Sequence, residues 1–301
     1  MTTPFAAGTL WELIQQRTQA ALQCGALQPI KTRQMTLPDR GVDFIVRQVS
    51  SLARKDKSRR LEAAAYSSVN PFLPYDPALY VSDVSDNHVC LLNKFNVIEN
   101  HVLIVTRDFE HQENLLNQAD FAAWLRCLSE FNSLGFYNGG EAAGASQTHK
   151  HLQLVPLPLA EGRYEFPFVS VLSHADAQTR NHATAVWRCG LPFSHAIVTL
   201  DANQLRDRTA AAYLLSRYED LLSAVGIGTV GNDHVRQTAP YNVLISKQWM
   251  WLVPRSREFY QSISVNGLGF AGSLFVRDSR QFELLRHTGP MEVLRSVSEP
   301  Y

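Results

Sequence analysis

The sequence predicts an α+β fold: an antiparallel sheet with flanking helices, built as two related halves. Three observations carry this expectation. Short apolar runs of strand length, bounded by Gly, Pro and Asn, recur along the 301-residue chain. Longer segments carry apolar residues at helical spacing. A helix followed by a Tyr-Asn strand, and then a strand ending Leu-Val-Pro, occurs twice: around YNGG…HLQLVP (137–156) and around YNVL…WMWLVP (241–254).

Each element follows from local pattern. In 10–27, Leu10, Leu13, Ile14, Ala21 and Leu22 share one helical face, and Gly25 ends the helix. Residues 42–49 alternate apolar and polar, as a strand does. The mix of Ser, Arg, Lys and Asp over 50–65 reads as a basic loop or a solvated helix. Three prolines in 70–77 (NPFLPYDP) exclude a regular element. His88–Leu92 and His101–Thr106 form an antiparallel pair with a longer loop. After Asp120, read as N-cap, Phe121, Trp124, Leu125, Leu128 and Phe131 mark a helix. A glycine-rich passage, 135–144, leads into a strand at His149–Val155, and 160–184 reads as a long polar connection. Then come strand His195–Leu200, helix 204–225, and strands Tyr241–Ile245 and Trp249–Val253. Trp249 and Trp251 read as core packing ahead of adenine stacking. A glycine-broken strand region near 263–276 and a short helix near 281–287 complete the chain. The divisions are an N-terminal part over 1–160 and a C-terminal part over 185–301, able to pack as one unit.

Charge and cysteine usage bound the function. With 28 basic and 28 acidic residues the net charge is zero, which argues against a polyanion-coating surface. No apolar run approaches the ~20 residues that cross a bilayer, and the N-terminus lacks a signal-peptide pattern. The four cysteines are widely spaced with no Cys-x-x-Cys, as expected of reduced thiols. The expectation is a cytoplasmic monomer without nucleic-acid or membrane partners.

The informative segment is Asn138–Pro156, NGGEAAGASQTHKHLQLVP. On a strand, His149, His151 and Gln153 share one face and Lys150, Leu152 and Leu154 the other. Three polar groups in a row suit the floor of a polar pocket better than a core. A neutral imidazole is a nucleophile near pH 7, and attack on phosphorus divides one difficult displacement into two easier ones. Gln153 can donate an amide N–H to a phosphoryl or bridging oxygen. Gly139, Gly140 and Gly144 lack Cβ, so backbone N–H groups could approach phosphate. Asn138, Ser146, Gln147 and Thr148 add side-chain donors. The chemical rival is a zinc site in which His88, His101 or His111 joins His149 and His151.

These residues resemble the histidine-triad superfamily, in which an Asn-x-Gly…Gly loop runs into His-x-His-x-His. Gln153 in place of the last histidine resembles the transferase branch. Segments 70–77, 91–112, 137–158, 241–256 and 266–277 resemble the ATP adenylyltransferases, or diadenosine tetraphosphate phosphorylases. The resemblance implies phosphorolysis of diadenosine tetraphosphate to ATP and ADP by double displacement. It implies His151 as the nucleophile that carries AMP, His149 as its positioner, and Gln153 at the transferred phosphoryl group. Asn138 and Gly144, Ala145, Ser146 and Gln147 would hold the polyphosphate. Lys55, Asn93 and Lys94 match basic and strand-end positions, and Asn242 would reach the nucleotide from the second half. His101 reads as a structural hydrogen bonder. No tightly bound cofactor and no protein-held metal are implied; a divalent cation such as Mg could travel with the substrate. The partners implied are diadenosine polyphosphates, ATP, ADP and phosphate. The alternatives are a hexose-1-phosphate-type nucleotidylyltransferase, from which the missing Cys-x-x-Cys separates it, and a non-catalytic nucleotide sensor.

Overall fold

The computed structural model describes residues 4–49, 70–162, 164–179, 186–230 and 235–300. The basic segment 50–65 and Lys55 lie outside them. In chain order the elements are α1 (Leu10–Cys24), β1 (Thr32–Asp39), β2 (Val42–Val49), β3 (Tyr80–Asp83), β4 (His88–Leu92), β5 (Val102–Thr106), α2 (Gln118–Leu128), β6 (Ser133–Gly139), β7 (His151–Pro156), α3 (Val169–Thr179), β8 (Ala196–Thr199), α4 (Ala210–Ala224), β9 (Tyr241–Ile245), β10 (Trp249–Pro254), β11 (Ser273–Val276), α5 (Ser279–Thr288) and α6 (Pro290–Val297). A few two-residue ladders and short helical turns join them.

Eight strands form one antiparallel sheet in the order β3-β4-β5-β7-β6-β9-β10-β8. At its centre β6 and β9 lie side by side with Asn138 opposite Asn242. β7 flanks β6 and β10 flanks β9. The helices that precede the two central strands meet through Phe121 of α2 and Tyr218 of α4, ring centroids 5.4 Å apart. The Tyr-Asn echo is therefore real in space. The Leu-Val-Pro echo is not in the same register. Pro156 pairs with Ser133, five residues before Asn138, whereas Pro254 pairs with Tyr241, next to Asn242.

The two faces of the sheet are covered differently. Helices α1, α2 and α4 pack on one face over Cys90, Ile104, Leu152, Leu154, Val243 and Leu252. Helices are not confined to that face. Over Leu134, Phe136, Val155, Leu244 and Trp251 the other face carries β1, β2, β11, α3, α5 and α6. β11 pairs in parallel with β2, tying the C-terminal segment to the N-terminal hairpin. That hairpin turns through Arg40 and Gly41 at φ 47° and 80°, the left-handed pair of a tight two-residue turn.

Local details depart from the sequence reading for identifiable reasons. Strand β1 lies outside the elements predicted above; it carries Pro38 as an edge strand, where proline is tolerated. Helix α3 lies inside the stretch read as a polar connection, and its composition shows little one-sided patterning. Two helices end the chain instead of one, broken at Gly289–Pro290. Asn117, not Asp120, caps α2; Asp120 is the reciprocal member of the capping box, accepting from the Asn117 N–H. Trp249 and Trp251 are buried, and Trp251 stacks on Phe166 at 5.7 Å.

Candidate active site

The face not covered by α1, α2 and α4 opens, above β4, β5, β7 and β6, into a cavity of about 830 Å³. His101, Asn138, His151 and Gln153 lie on its floor, because residues of one parity on these strands share a face. The loop 93–98 forms one wall, and Asn266, Leu268 and Phe275 bring the C-terminal segment over it. Gly144, Ser146 and Gln147 line it from the glycine-rich loop.

Two imidazoles, His101 and His151, lie on this floor with His149 beside them, and hydrogen bonds set the tautomer of each. The Nδ1–H of His151 donates to the carbonyl of His149 at 2.8 Å, which leaves Nε2 as a bare lone pair. The ring is buried, and burial together with His149 pushes its pKa down to about 4, so it is neutral at pH 7. The Nε2 of His149 lies 2.8 Å from the Thr106 carbonyl and 2.9 Å from the Thr106 hydroxyl. A carbonyl only accepts, so Nε2 carries the proton. The Nδ1 of His149 then accepts from the Asn70 amide at 2.9 Å. At Asn93, Oδ1 accepts the Phe95 backbone N–H at 3.3 Å, so Nδ2 faces His101 Nδ1 at 3.1 Å as donor. The His101 Nε2–H consequently donates to Gln153 Oε1 at 3.1 Å. The NH₂ of Gln153 is thereby left for a ligand. Desolvation holds the His101 pKa down to about 4 as well.

The glycine-rich loop works differently from the expectation. The N–H groups of Gly140, Gly144 and Ala145 bond within the loop, to Asn138, Glu141 and Gly140 carbonyls, and so are not free for phosphate. The glycines serve instead to turn the chain: Gly140 and Gly144 sit at φ 93° and 89°. A Cβ on Gly144 would lie 2.8 Å from Asn266 Cβ. Ala145 does not line the cavity.

The expected residues divide as follows. His151, Gln153, Asn93, Lys94, Asn138, Gly144, Ser146 and Gln147 share one cavity. His149 does not reach its wall; β7 begins only at His151, and the His149 ring packs edge-on to Phe72 and Phe109. Asn242 is fully buried behind Asn138. Its Nδ2 donates to Asn138 Oδ1 and to the Ala143 carbonyl, both at 2.9 Å, and its Oδ1 accepts from Arg255 at 2.6 Å. It braces the loop and does not face the cavity. Among the described residues no group of three His, Cys, Asp or Glu side chains could hold a metal.

Four contributors were not foreseen. Gln112 accepts the His151 N–H at 2.8 Å and donates to the Asn138 carbonyl at 2.9 Å, stitching β6 to β7 beyond their ladder. Arg255, without exposure, fans its guanidinium over Asn242 Oδ1 and the carbonyls of Val265, Arg257 and Val297; burial lowers its pKa to about 9. Asn70 and Phe72 cap the histidines, with the Phe72 and His151 rings 5.5 Å apart. Asn70 and Phe72 fall in segment 70–77, Gln112 at the end of 91–112 and Arg255 in 241–256, but no residue type or spacing marked them as contributors.

Comparisons with known proteins give the family and the fold. Residues 1–174 match the family model described as Ap4A phosphorylase N-terminal domain, and 189–300 match that of the ATP adenylyltransferase C-terminal domain. Among curated proteins the chain is 27% identical to Protein APA1 of Saccharomyces cerevisiae, over 64% of this chain and 62% of that protein. It is 26% identical to diadenosine 5',5'''-P1,P4-tetraphosphate phosphorylase 2 of the same yeast, over 85% of this chain and 82% of that protein. The fold is that of the crystal structure of yeast Ap4A phosphorylase Apa2 in complex with Ap4A. The TM-score is 0.77 at 23% identity, covering 100% of this chain and 99% of that one. The complex of Apa2 with AMP gives the same TM-score at 24% identity, with the same coverage.

Proposed function

The chain belongs to the Ap4A phosphorylase family, and from that premise we propose that it cleaves diadenosine tetraphosphate with inorganic phosphate, giving ATP and ADP. The observation that carries the reading is the single bare imidazole nitrogen on the cavity floor, His151 Nε2, beside the NH₂ of Gln153.

In the first displacement Nε2 attacks the α-phosphorus of one adenylyl group. The bond from that phosphorus to the bridging oxygen breaks, and ATP leaves with the electron pair. The growing positive charge on His151 is shared with the His149 carbonyl through Nδ1–H. Gln153 donates to the transferred phosphoryl group, with its amide held by the His101 relay. In the second displacement a phosphate oxygen attacks the same phosphorus, the P–N bond returns its pair to Nε2, and ADP departs. Asn138, Ser146 and Gln147 hold the polyphosphate, and Lys94, with Lys55 from outside the described residues, adds positive charge. Any divalent cation arrives with the polyphosphate. Among the described residues no helix is long and apolar enough to cross a membrane.

The test is to incubate the protein with diadenosine tetraphosphate, with and without phosphate, and to separate the nucleotides. ATP and ADP in equal amounts, dependent on phosphate, are expected. Symmetric cleavage to two ADP without phosphate would sink the reading.

A further inference from the structure

The adenylyl group on His151 can pass to phosphate or be lost to water, and the structure holds a device that chooses between them. Water attack forms a P–O bond, returns the P–N pair to Nε2, and releases a proton that a base must take. Phosphate arrives already ionised and needs no base. Two imidazoles flank His151, His101 on the cavity floor and His149 beside it against Phe72, and each has only one nitrogen able to accept a proton. On His149 that nitrogen is Nδ1, and the Asn70 amide donates to it at 2.9 Å. On His101 it is again Nδ1, and the Asn93 amide donates to it at 3.1 Å. Neither asparagine is free to turn away. Asn70 Oδ1 is tied to the Phe72 backbone N–H at 3.0 Å, and Asn93 Oδ1 to that of Phe95 at 3.3 Å. The third polar position on this strand face is Gln153, which cannot accept a proton. Of the cavity-wall carboxylates, Asp76 Oδ1 caps a helical turn and Glu258 Oε1 takes the Ser264 hydroxyl.

We infer that Asn70 and Asn93 set acceptor specificity by occupying the free lone pairs of His149 and His101, so that the covalent adenylate is transferred to an ionised oxyanion and not to water. This rests on the proposed phosphorolysis. Asn70 acts through His149 and is a positioning residue, and in this role so is Asn93.

The experiment is the partition of products. Asn70→Ala and Asn93→Ala are incubated with diadenosine tetraphosphate and saturating phosphate in ¹⁸O-labelled water, and AMP is measured against ADP. Both products drain one intermediate, so the ratio does not depend on how much of a variant is folded. Each variant frees one imidazole lone pair, a weak base because burial holds the ring's pKa down, so the AMP:ADP ratio should rise several-fold, up to about tenfold, with ¹⁸O in the AMP. An unchanged ratio in both variants overturns the inference, as does AMP formed without the label. Failure of the function itself reads differently: the unaltered protein would then form no ATP and ADP.

Discussion

At His151 the burial that keeps the imidazole neutral also sets the pH range in which it works. A protonated ring has no lone pair, so adenylation stops as pH falls through the folded pKa. That pKa is held down to about 4 by desolvation and by His149, where an open histidine titrates near 6.5. In a brief pH jump, covalent adenylate formation without phosphate should stay level from pH 7 to about 5 and fall only near 4. A limb near 6.5 would mean that water reaches the ring. His151→Ala should form no acid-labile adenylate at all, as read by retention of labelled AMP on the protein. Full adenylation in that variant would move the nucleophile elsewhere. At this scale the sequence was informative where the chemistry is carried by residue type, as at His151 and Gln153. It was silent on tautomers, because these depend on Thr106, Asn70 and Asn93, which reach the ring nitrogens from other segments.

Among elements, the loop from Asn138 to Gln147 shows what pattern can and cannot reveal. Its glycines suggested backbone N–H groups open to phosphate, and the structure shows them turning the chain instead. Whether an N–H faces a ligand or its own loop is decided by φ and ψ, and the observed turn spends the Gly140, Gly144 and Ala145 donors internally. The same limit applies to Asn242. The resemblance implied a nucleotide contact, but the buried guanidinium of Arg255 behind it claims its Oδ1. Strands β4, β5, β9 and β10 were legible within a residue or so, since their apolar runs are short and sharply bounded. The parallel pairing of β2 with β11 was not, because it joins residues more than two hundred positions apart. Gly144→Ala tests the loop. The left-handed φ of 89° costs about 1–2 kcal/mol for a residue with Cβ, and the new atom also meets Asn266. The KM for diadenosine tetraphosphate should rise several-fold, with a smaller change in the adenylation rate once bound. An unchanged KM would show that the loop does not hold the polyphosphate.

For the whole molecule, the sheet and the cavity both draw on the two segments matched by separate family models. β6 and β9 pair at the centre, and the cavity is walled by Asn266 and Phe275 as well as floored by His151. Burying neutral histidines costs stability in acid. His101 and His151 both titrate near 4 in the fold and near 6.5 in an unfolded chain. Between these values the unfolded chain binds more protons, so stability is lost as pH drops from about 6.5 towards 4, on the order of 1–3 kcal/mol for each ring. Denaturation midpoints should fall over that window, and a His101→Gln variant should show a shallower fall. Charge leads to a different expectation. With 28 basic against 28 acidic residues there is no net charge to attract an anion, and among the described residues that line the cavity Lys94 is the one lysine. In the proposed site most polyphosphate contacts would fall to amides and hydroxyls, whose hydrogen bonds salt does not screen. Raising ionic strength from about 0.01 to 0.15 M shortens the Debye length from about 30 to 8 Å and would slow an electrostatically steered enzyme strongly. Here kcat/KM for the dinucleotide should change by no more than about twofold over that range. A steep fall would place the binding energy on surface cations, and would turn attention to the lysines and arginines of 50–65.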